Sequence, residues 1–131
     1  MDSLKHYQPT EAELAILQVL WEHQPCTVRF VHEHFAAKGK AVGYTTILKT
    51  MQRMDKDKGL LNRDKSGKTH YYSAVPKEAE VQQTLFQRLK NTAFKGSAMK
   101  MILHALGQDQ ASPEELAEIR AFLDKKRAQE E

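Results

Sequence analysis

Apolar residues recur at helical spacing in three segments of the first 59 residues, and this pattern predicts three short helices. A capping box formed by Thr10 and Glu13 opens the first helix, and Pro25 stops it. The second helix begins at Thr27, and Gly39 is placed to end it in the left-handed conformation. On these two helices the residues expected to face inward are Leu14, Leu17, Leu20, Trp21, Val28, Val31 and Phe35.

The third helix, expected over about Tyr44–Lys58 and closed by Gly59, separates apolar from polar residues. Its inward residues are Ile47, Leu48, Met51 and Met54. Its polar face carries Thr45, Thr46, Lys49, Gln52, Arg53 and Lys56. Hydroxyl, amide and cationic groups of this kind suit a helix that lies in the major groove of DNA. The alternative is an ordinary surface helix, but such a helix usually mixes Glu with Lys, whereas the acids here are confined to Asp55 and Asp57.

Two extended runs, Leu60–Lys65 and Lys68–Ala74, flank Ser66-Gly67 and predict a β-hairpin. Three helices followed by a basic hairpin is the winged helix-turn-helix arrangement. The hairpin residues expected to clamp phosphates beside the third helix are Arg63, Lys65 and Lys68. The alternative role for these charges is to protect an edge strand from aggregation.

From Pro76 onward the pattern predicts three amphipathic helices, the last opened by Ser112 and Pro113. Three such helices cannot cover their own apolar faces, so we expect a second copy of the chain to cover them. The predicted homodimer interface consists of Leu85, Leu89, Ile102, Leu106, Leu116, Ile119, Phe122 and Leu123. The expected protein is therefore mostly α, with a winged-helix DNA-binding domain over residues 1–75 and a three-helix dimerisation domain over residues 76–131.

Charge is concentrated in the centre of the 131-residue chain, although the net charge is only +3. Residues 38–72 contain nine basic and three acidic side chains, whereas residues 1–37 contain two basic and five acidic ones. A localised basic block is typical of a nucleic-acid surface. The alternative is a solvated basic face without a partner.

The remaining composition excludes several other classes of protein. With 40% hydrophobic and 28% charged residues, the chain is expected to fold as a soluble globular protein. It has no apolar run near the roughly 20 residues of a membrane span and no secretory signal, which predicts no membrane insertion and a cytoplasmic location. The single cysteine, Cys26, cannot form an internal disulfide, which fits a reducing compartment.

The sequence contains only incomplete matches to enzyme and metal-binding motifs. Ser66-Gly67-Lys68-Thr69 matches the end of a phosphate-binding loop, but Asn62 stands where the first glycine belongs and a strand follows where a helix is needed. His32-Glu33-His34 lacks the zinc-protease spacing, and a metal site built from His23, Cys26 and His32 is not favoured. We therefore expect no catalytic residues, no metal site and no cofactor.

Six short motifs together indicate one protein family, although each motif alone is a weak signal. They are Thr10-Glu11-Ala12-Glu13 before Leu14–Trp21, Gly43-Tyr44-Thr45-Thr46-Ile47-Leu48-Lys49, Lys58-Gly59-Leu60 with Arg63, Tyr71-Tyr72-Ser73, Phe94-Lys95-Gly96-Ser97, and the closing helix Leu116–Leu123. Over roughly residues 8–124 the chain resembles the penicillinase-repressor (BlaI/MecI) family of winged-helix transcriptional regulators.

The resemblance implies a homodimeric repressor that binds a pseudo-palindromic operator in double-stranded DNA and dimerises through its C-terminal helices. It carries the family's DNA contacts over to Thr45, Thr46, Lys49 and Arg53. It also implies induction by a membrane sensor-protease system that triggers cleavage of an Asn-Phe bond in the dimerisation region. This chain has His104-Ala105 at that position, where it departs from the family, and it lacks the paired C-terminal cysteines of copper-sensing relatives.

The prediction from the sequence is thus a sequence-specific transcriptional repressor. The alternative is a winged-helix protein-interaction module whose basic face docks an acidic partner. DNA affinity that survives nonspecific competitor distinguishes the first from the second.

Overall fold

Six helices and one two-stranded hairpin make up residues 7–130, the part of the chain that the computed structural model describes. In chain order they are α1 (Glu11–His23), α2 (Val28–Ala37), α3 (Tyr44–Lys56), β1 (Leu61–Asp64), β2 (Tyr71–Ala74), α4 (Glu78–Ala93), α5 (Ala98–Gly107) and α6 (Pro113–Glu130). Three helices followed by an antiparallel hairpin confirm the predicted winged-helix order, and the helical C-terminal region follows as expected.

The chain divides into two compact units, Met1–Leu85 and Phe86–Glu131, and the division falls within α4. The boundary expected after residue 75 separates the DNA-binding function from the dimerisation function. It stays a prediction. None of the helices in the described residues is both long and apolar enough to cross a membrane.

The first two helices begin as their caps predict. In α1 the backbone N–H of Glu13 donates to the Thr10 hydroxyl at 3.1 Å, and the N–H of Thr10 donates to the Glu13 carboxylate at 2.9 Å. In α2 the Thr27 hydroxyl accepts from the N–H of Phe30 at 3.0 Å. Gly39 follows α2 with φ +79°, a conformation that glycine adopts without strain.

The core of the first unit is formed where the apolar faces of the first three helices meet the base of the hairpin. Its buried residues are Ile16, Leu17, Val19, Leu20, Cys26, Val28, Val31, Phe35, Ile47, Met51, Met54, Leu60, Leu61 and Tyr72. Burying each of the larger apolar side chains stabilises the fold by about 1.5–3 kcal/mol.

Three residues predicted to face inward, Leu14, Trp21 and Leu48, are only partly buried. The buried face of α1 is rotated toward Ile16, which the sequence analysis did not include. Trp21 lies at the edge of the core because its indole N–H donates to the carbonyl of Pro76 at 3.0 Å. An aromatic ring with a polar group is often buried in this partial way.

The hairpin is shorter than predicted. The strands pair Leu61 with Ala74 and Asp64 with Tyr71 at their ends, which leaves a six-residue loop over residues 65–70 in place of a two-residue turn. The Asp64 carboxylate accepts from the N–H of Ser66 at 2.9 Å, and this contact bends the chain away from the strand. Residues 65 and 68, expected in strands, therefore lie in the loop.

Backbone hydrogen bonds join the hairpin to the connection between α1 and α2. The N–H of Cys26 donates to the carbonyl of Tyr72 at 2.9 Å, and the N–H of Tyr72 donates to the carbonyl of Cys26 at 2.7 Å. The N–H of Ala74 donates to the side-chain oxygen of Gln24 at 2.8 Å. The base of the hairpin is therefore fixed to the helical part of its unit.

In the second unit, side-chain caps define the helix starts. Ser97 accepts from the N–H of Lys100 at 3.1 Å at the start of α5, and Ser112 and Glu115 form a capping box before α6. The first residue of α6 is Pro113, as predicted. Within the described chain, no residue of α5 or α6 is buried.

Candidate nucleic-acid interface

The polar face predicted for the third helix is the open face of α3. Thr45, Thr46, Lys49 and Arg53 are exposed, and Gln52 is half-buried. The opposite face is fixed in the core by Ile47, Met51 and Met54. Because the apolar residues determine which side faces inward, the hydroxyl, amide and cationic groups are directed to solvent.

The end of α3 differs from the prediction by two residues. The helix ends at Lys56 rather than Lys58, and the N–H groups of Asp57 and Lys58 both donate to the carbonyl of Arg53, at 2.9 and 3.2 Å. The chain then turns at Gly59, whose φ is +64°. A turn in the left-handed conformation cannot continue the helix, so the last turn closes early.

A buried carboxylate fixes this end of α3 to α1. Glu13 is only 4% exposed, and it accepts hydrogen bonds from the Lys58 ammonium, from the Thr10 N–H and, at 2.7 Å, from the Tyr7 hydroxyl. Burial alone raises the pKa of Glu13, but these hydrogen bonds and the Lys58 charge outweigh it, so the pKa lies below its usual 4.5. Burial, together with the Glu13 acceptor, raises the pKa of Tyr7.

A groove of about 460 Å³ runs between α3, the hairpin and the start of α2. Three residues predicted as DNA contacts line it: Gln52, Arg63 and Lys68. Its other lining residues are Thr27, Val28, Arg29, Tyr44, Leu48, Thr69, His70 and Tyr72. None of these described residues is acidic, so the groove suits an anionic ligand such as a DNA phosphate.

A second depression, of about 280 Å³, lies along α3 itself. It is lined by Lys49, Gln52, Arg53, Lys56 and Asp57, and Gln52 therefore borders both cavities. Most of the predicted DNA-binding residues thus surround two adjoining concave surfaces. Thr45 and Thr46 lie one turn earlier on the exposed face of α3, and Lys65 is exposed in the hairpin loop.

Arg63 differs from the two hairpin lysines in its surroundings. Its side chain is only 14% exposed, and its Nε lies 3.5 Å from Oδ2 of Asp55, whose side chain is 17% exposed. The Nε has no hydrogen-bond partner among the described residues. Lys65 and Lys68, in contrast, are exposed.

Arg29 lines the groove but is not among the residues predicted from the sequence. Arg29 lies in the first turn of α2 and pairs with Glu33 through Nε and Oε1 at 3.1 Å. Arg29 belongs to residues 1–37, where acidic side chains outnumber basic ones, and so lies outside the basic block of residues 38–72. The helix start at Thr27 was the available signal, because backbone N–H groups and a cation in a first turn both favour anions.

The residues predicted for the dimer interface lie on the surface of the single chain. Leu89, Ile102, Leu116, Phe122 and Leu123 are 45–59% exposed. Leu85, Leu106 and Ile119 are half-buried. In the second unit, an apolar cleft of about 580 Å³ lies between α5 and α6, with Ile102, Leu106, Ile119 and Phe122 among its lining residues.

Comparison with known proteins identifies the group to which this arrangement belongs. Residues 9–125 match the family model described as the penicillinase repressor. The chain belongs to this family. Membership assigns it to the transcriptional repressors that bind DNA, in agreement with the helix and hairpin order and with the resemblance noted in the sequence.

Individual members are similar over nearly the whole length. The penicillinase repressor of Bacillus licheniformis is 28% identical over 117 residues, covering 89% of this chain and 90% of that protein. The methicillin resistance regulatory protein MecI of Staphylococcus aureus strain N315 is 24% identical over 122 residues, covering 93% and 98%. MecI of Mammaliicoccus sciuri is 23% identical over the same length. The similarity therefore includes both units.

Proposed function

We propose that this penicillinase-repressor family member binds a pseudo-palindromic operator as a homodimer and represses transcription by occupying a promoter. In each subunit α3 enters a major groove, and the hairpin loop lies along the neighbouring phosphate backbone. The observation that carries the proposal is the open face of α3, which presents hydroxyl, amide and cationic groups beside a groove with basic walls.

The dimensions and chemistry of α3 suit the major groove. An α-helix with its side chains is about 10–12 Å wide, and the major groove of B-DNA is about 12 Å wide. Lys49 and Arg53 are one helical turn apart, with Gln52 beside them. Arginine and lysine pair with the O6 and N7 atoms of guanine, and glutamine pairs with adenine, so these residues are assigned the base contacts. Thr45 and Thr46, at the start of α3, are assigned to bases or phosphates.

Phosphate contacts are assigned to the exposed residues around α3. Lys65 and Lys68 lie in the hairpin loop, and Arg29 lies on the opposite wall of the groove. Each phosphate that these cations neutralise steepens the salt dependence of binding by about one counterion. Arg63 is left out of this set because its side chain is mostly buried against Asp55.

The homodimer is inferred from the apolar surface of the second unit. No described residue of α5 or α6 is buried, although α6 carries Leu116, Ile119, Phe122 and Leu123 at helical spacing. Exposed apolar surface of this kind marks an interaction site. A second copy covers it and supplies a second α3, so the two recognition helices meet half-sites about one helical turn apart.

Control of repression by a membrane sensor-protease system is part of the proposal only through family resemblance. In this chain the corresponding peptide bond, His104-Ala105, lies within α5, and both residues are exposed. Binding an operator also requires the protein to share the compartment of the DNA, which is consistent with the expected cytoplasmic location.

A binding assay with matched arginine variants tests this function. Duplexes selected by the wild-type protein from a random-sequence library supply the DNA, and affinity is measured in the presence of nonspecific competitor. Arg53→Ala should weaken binding by roughly 1–3 kcal/mol without unfolding the protein, because it removes a base contact. Arg127→Ala, an exposed arginine in the last turn of α6, should leave affinity unchanged.

Two outcomes of the same assay oppose the proposal. Equal affinity of the two variants would remove Arg53 from the interface. Failure of the wild-type protein to enrich any duplex would instead favour a protein-interaction module that docks an acidic partner.

A further inference from the structure

An ion pair joins the C-terminal part of α3 to the first strand of the hairpin. Asp55 lies on α3 and Arg63 on β1, and the carboxylate and Nε are 3.5 Å apart. Both side chains are more than four-fifths buried, at 17% and 14% exposed. A pair shielded to this degree is screened by salt much less than pairs on the open surface.

The position of Arg63 makes the pair a link between two rigid parts. Arg63 is the cross-strand partner of Tyr72, and Tyr72 in turn exchanges two backbone hydrogen bonds with Cys26. Arg63 therefore lies on the part of the hairpin that is fixed to the helical unit, before the six-residue loop begins. Asp55 lies in the last turn of α3, two residues after Arg53.

We propose that Asp55 and Arg63 are positioning residues that set the angle between α3 and the hairpin, so that both elements reach one DNA duplex. The inference rests on the proposed function and adds two residues that act through each other rather than on the DNA. Burial of Arg63 limits its reach to a phosphate, while the Asp55 carboxylate, 3.5 Å from Nε without a hydrogen bond, gives the guanidinium a partner of opposite charge. The pair also neutralises a carboxylate on the helix that approaches an anionic duplex.

Asp55→Asn gives a test in which two explanations predict opposite signs. If Asp55 only adds negative charge near the DNA, its removal strengthens binding, because repulsion between the carboxylate and the phosphates disappears. If Asp55 positions the hairpin through Arg63, the same substitution weakens binding to the preferred sequence. Asp57→Asn is the control for the loss of charge alone. Asp57 also borders the surface along α3, two residues further on, but it is exposed and has no ion pair among the described residues.

The experiment uses the full-length protein, a duplex selected by the wild type, and a scrambled duplex of equal length. For Asp55→Asn we expect roughly tenfold weaker binding to the selected duplex, the effect typical of removing one interaction with a base. Binding to the scrambled duplex should weaken less, since nonspecific binding does not require the base contacts of α3 and the phosphate contacts of the hairpin loop to be made in one register. Asp57→Asn should bind the selected duplex as tightly as the wild type or more tightly.

Arg63→Gln provides a second variant that does not depend on how Asp55→Asn folds. A positioning role predicts a lower preference for the selected duplex, with an unchanged salt slope on the scrambled duplex. A direct interaction between Arg63 and a phosphate predicts instead that the slope falls by about one counterion on both duplexes. Circular dichroism of each variant checks that the fold is retained.

The outcomes separate this inference from the proposed function. The positioning role is overturned if Asp55→Asn binds the selected duplex at least as tightly as the wild type, if it weakens both duplexes equally, or if Arg63→Gln lowers the salt slope on both duplexes. If the wild type itself shows no preference between the duplexes, the proposed function fails first, and the positioning role fails with it.

Discussion

Glu13 shows how one residue can serve two structural roles. Its carboxylate closes the capping box of α1 and, from the same buried position, accepts a hydrogen bond from Lys58 beyond the end of α3. The sequence predicts the first role, because Thr10 and Glu13 are three residues apart. It does not predict the second, because Lys58 is 45 positions away and only the folded chain brings the two together.

The depressed pKa of Glu13 links this network to the pH dependence of stability. Since the folded-state pKa lies below 4.5, the ionised carboxylate stabilises the fold above that pH, and this contribution is lost as the pH falls through the folded-state pKa. Glu13→Gln should therefore lower the free energy of unfolding by about 1–3 kcal/mol at pH 7. The difference from the wild type should shrink as the pH falls below 4.5.

Urea denaturation between pH 7 and acidic pH measures this difference. Glu11→Gln, in the same first turn but exposed, is the control and should have a smaller effect on the free energy of unfolding at pH 7. A deficit of Glu13→Gln that stays constant over the whole range would show that ionisation of Glu13 does not stabilise the fold.

At the scale of elements, the pattern of apolar residues predicts which elements exist better than where they end. The order of helices and hairpin follows from periodicity, caps and breakers, and the polar face of α3 follows from the burial of Ile47, Met51 and Met54. The ends depend on hydrogen bonds that periodicity does not include. The carboxylate of Asp64 shortens the first strand, and Gly59 ends α3 early.

The same limit applies to the candidate site. Residue types and spacing were sufficient to predict that Lys49, Gln52 and Arg53 lie on the polar face of one helix. They were not sufficient to separate Arg63 from Lys65 and Lys68, which have similar charges in one hairpin. That distinction depends on Asp55, which lies on α3 rather than on the hairpin, and on how deeply each side chain is buried.

The prediction at the scale of elements concerns the apolar face of α6. Phe122→Asp should dissociate the proposed homodimer, because it places a charge among the exposed apolar residues of one helix face. Ala121→Asp is the control, since at about 100° per residue Ala121 lies on the opposite side of α6 from Leu116, Ile119 and Leu123.

Sedimentation equilibrium measures both variants beside the wild type. We expect the wild type and Ala121→Asp to be dimers and Phe122→Asp to be a monomer with reduced DNA affinity. A dimeric Phe122→Asp would show that this face of α6 is not the interface.

At the scale of the whole molecule, charge and apolar surface are divided between the two units of the chain. The segment with nine basic and three acidic residues contains α3 and the hairpin, whereas residues 73–131 contain nine of each. Exposed apolar residues of α5 and α6 lie in the second unit. This division suits a molecule that binds DNA with its first unit and pairs with a copy of itself through the second.

The central claim is that two copies of α3 enter two major grooves of one duplex. Methylation interference on a duplex selected by the wild-type protein tests it most directly, because methylation at guanine N7 blocks contacts in the major groove. Two bound copies of α3 should give two clusters of interference, symmetric about a centre and about 10 base pairs apart, on one side of the duplex. A single cluster, or binding that tolerates methylation at every guanine N7, would contradict it.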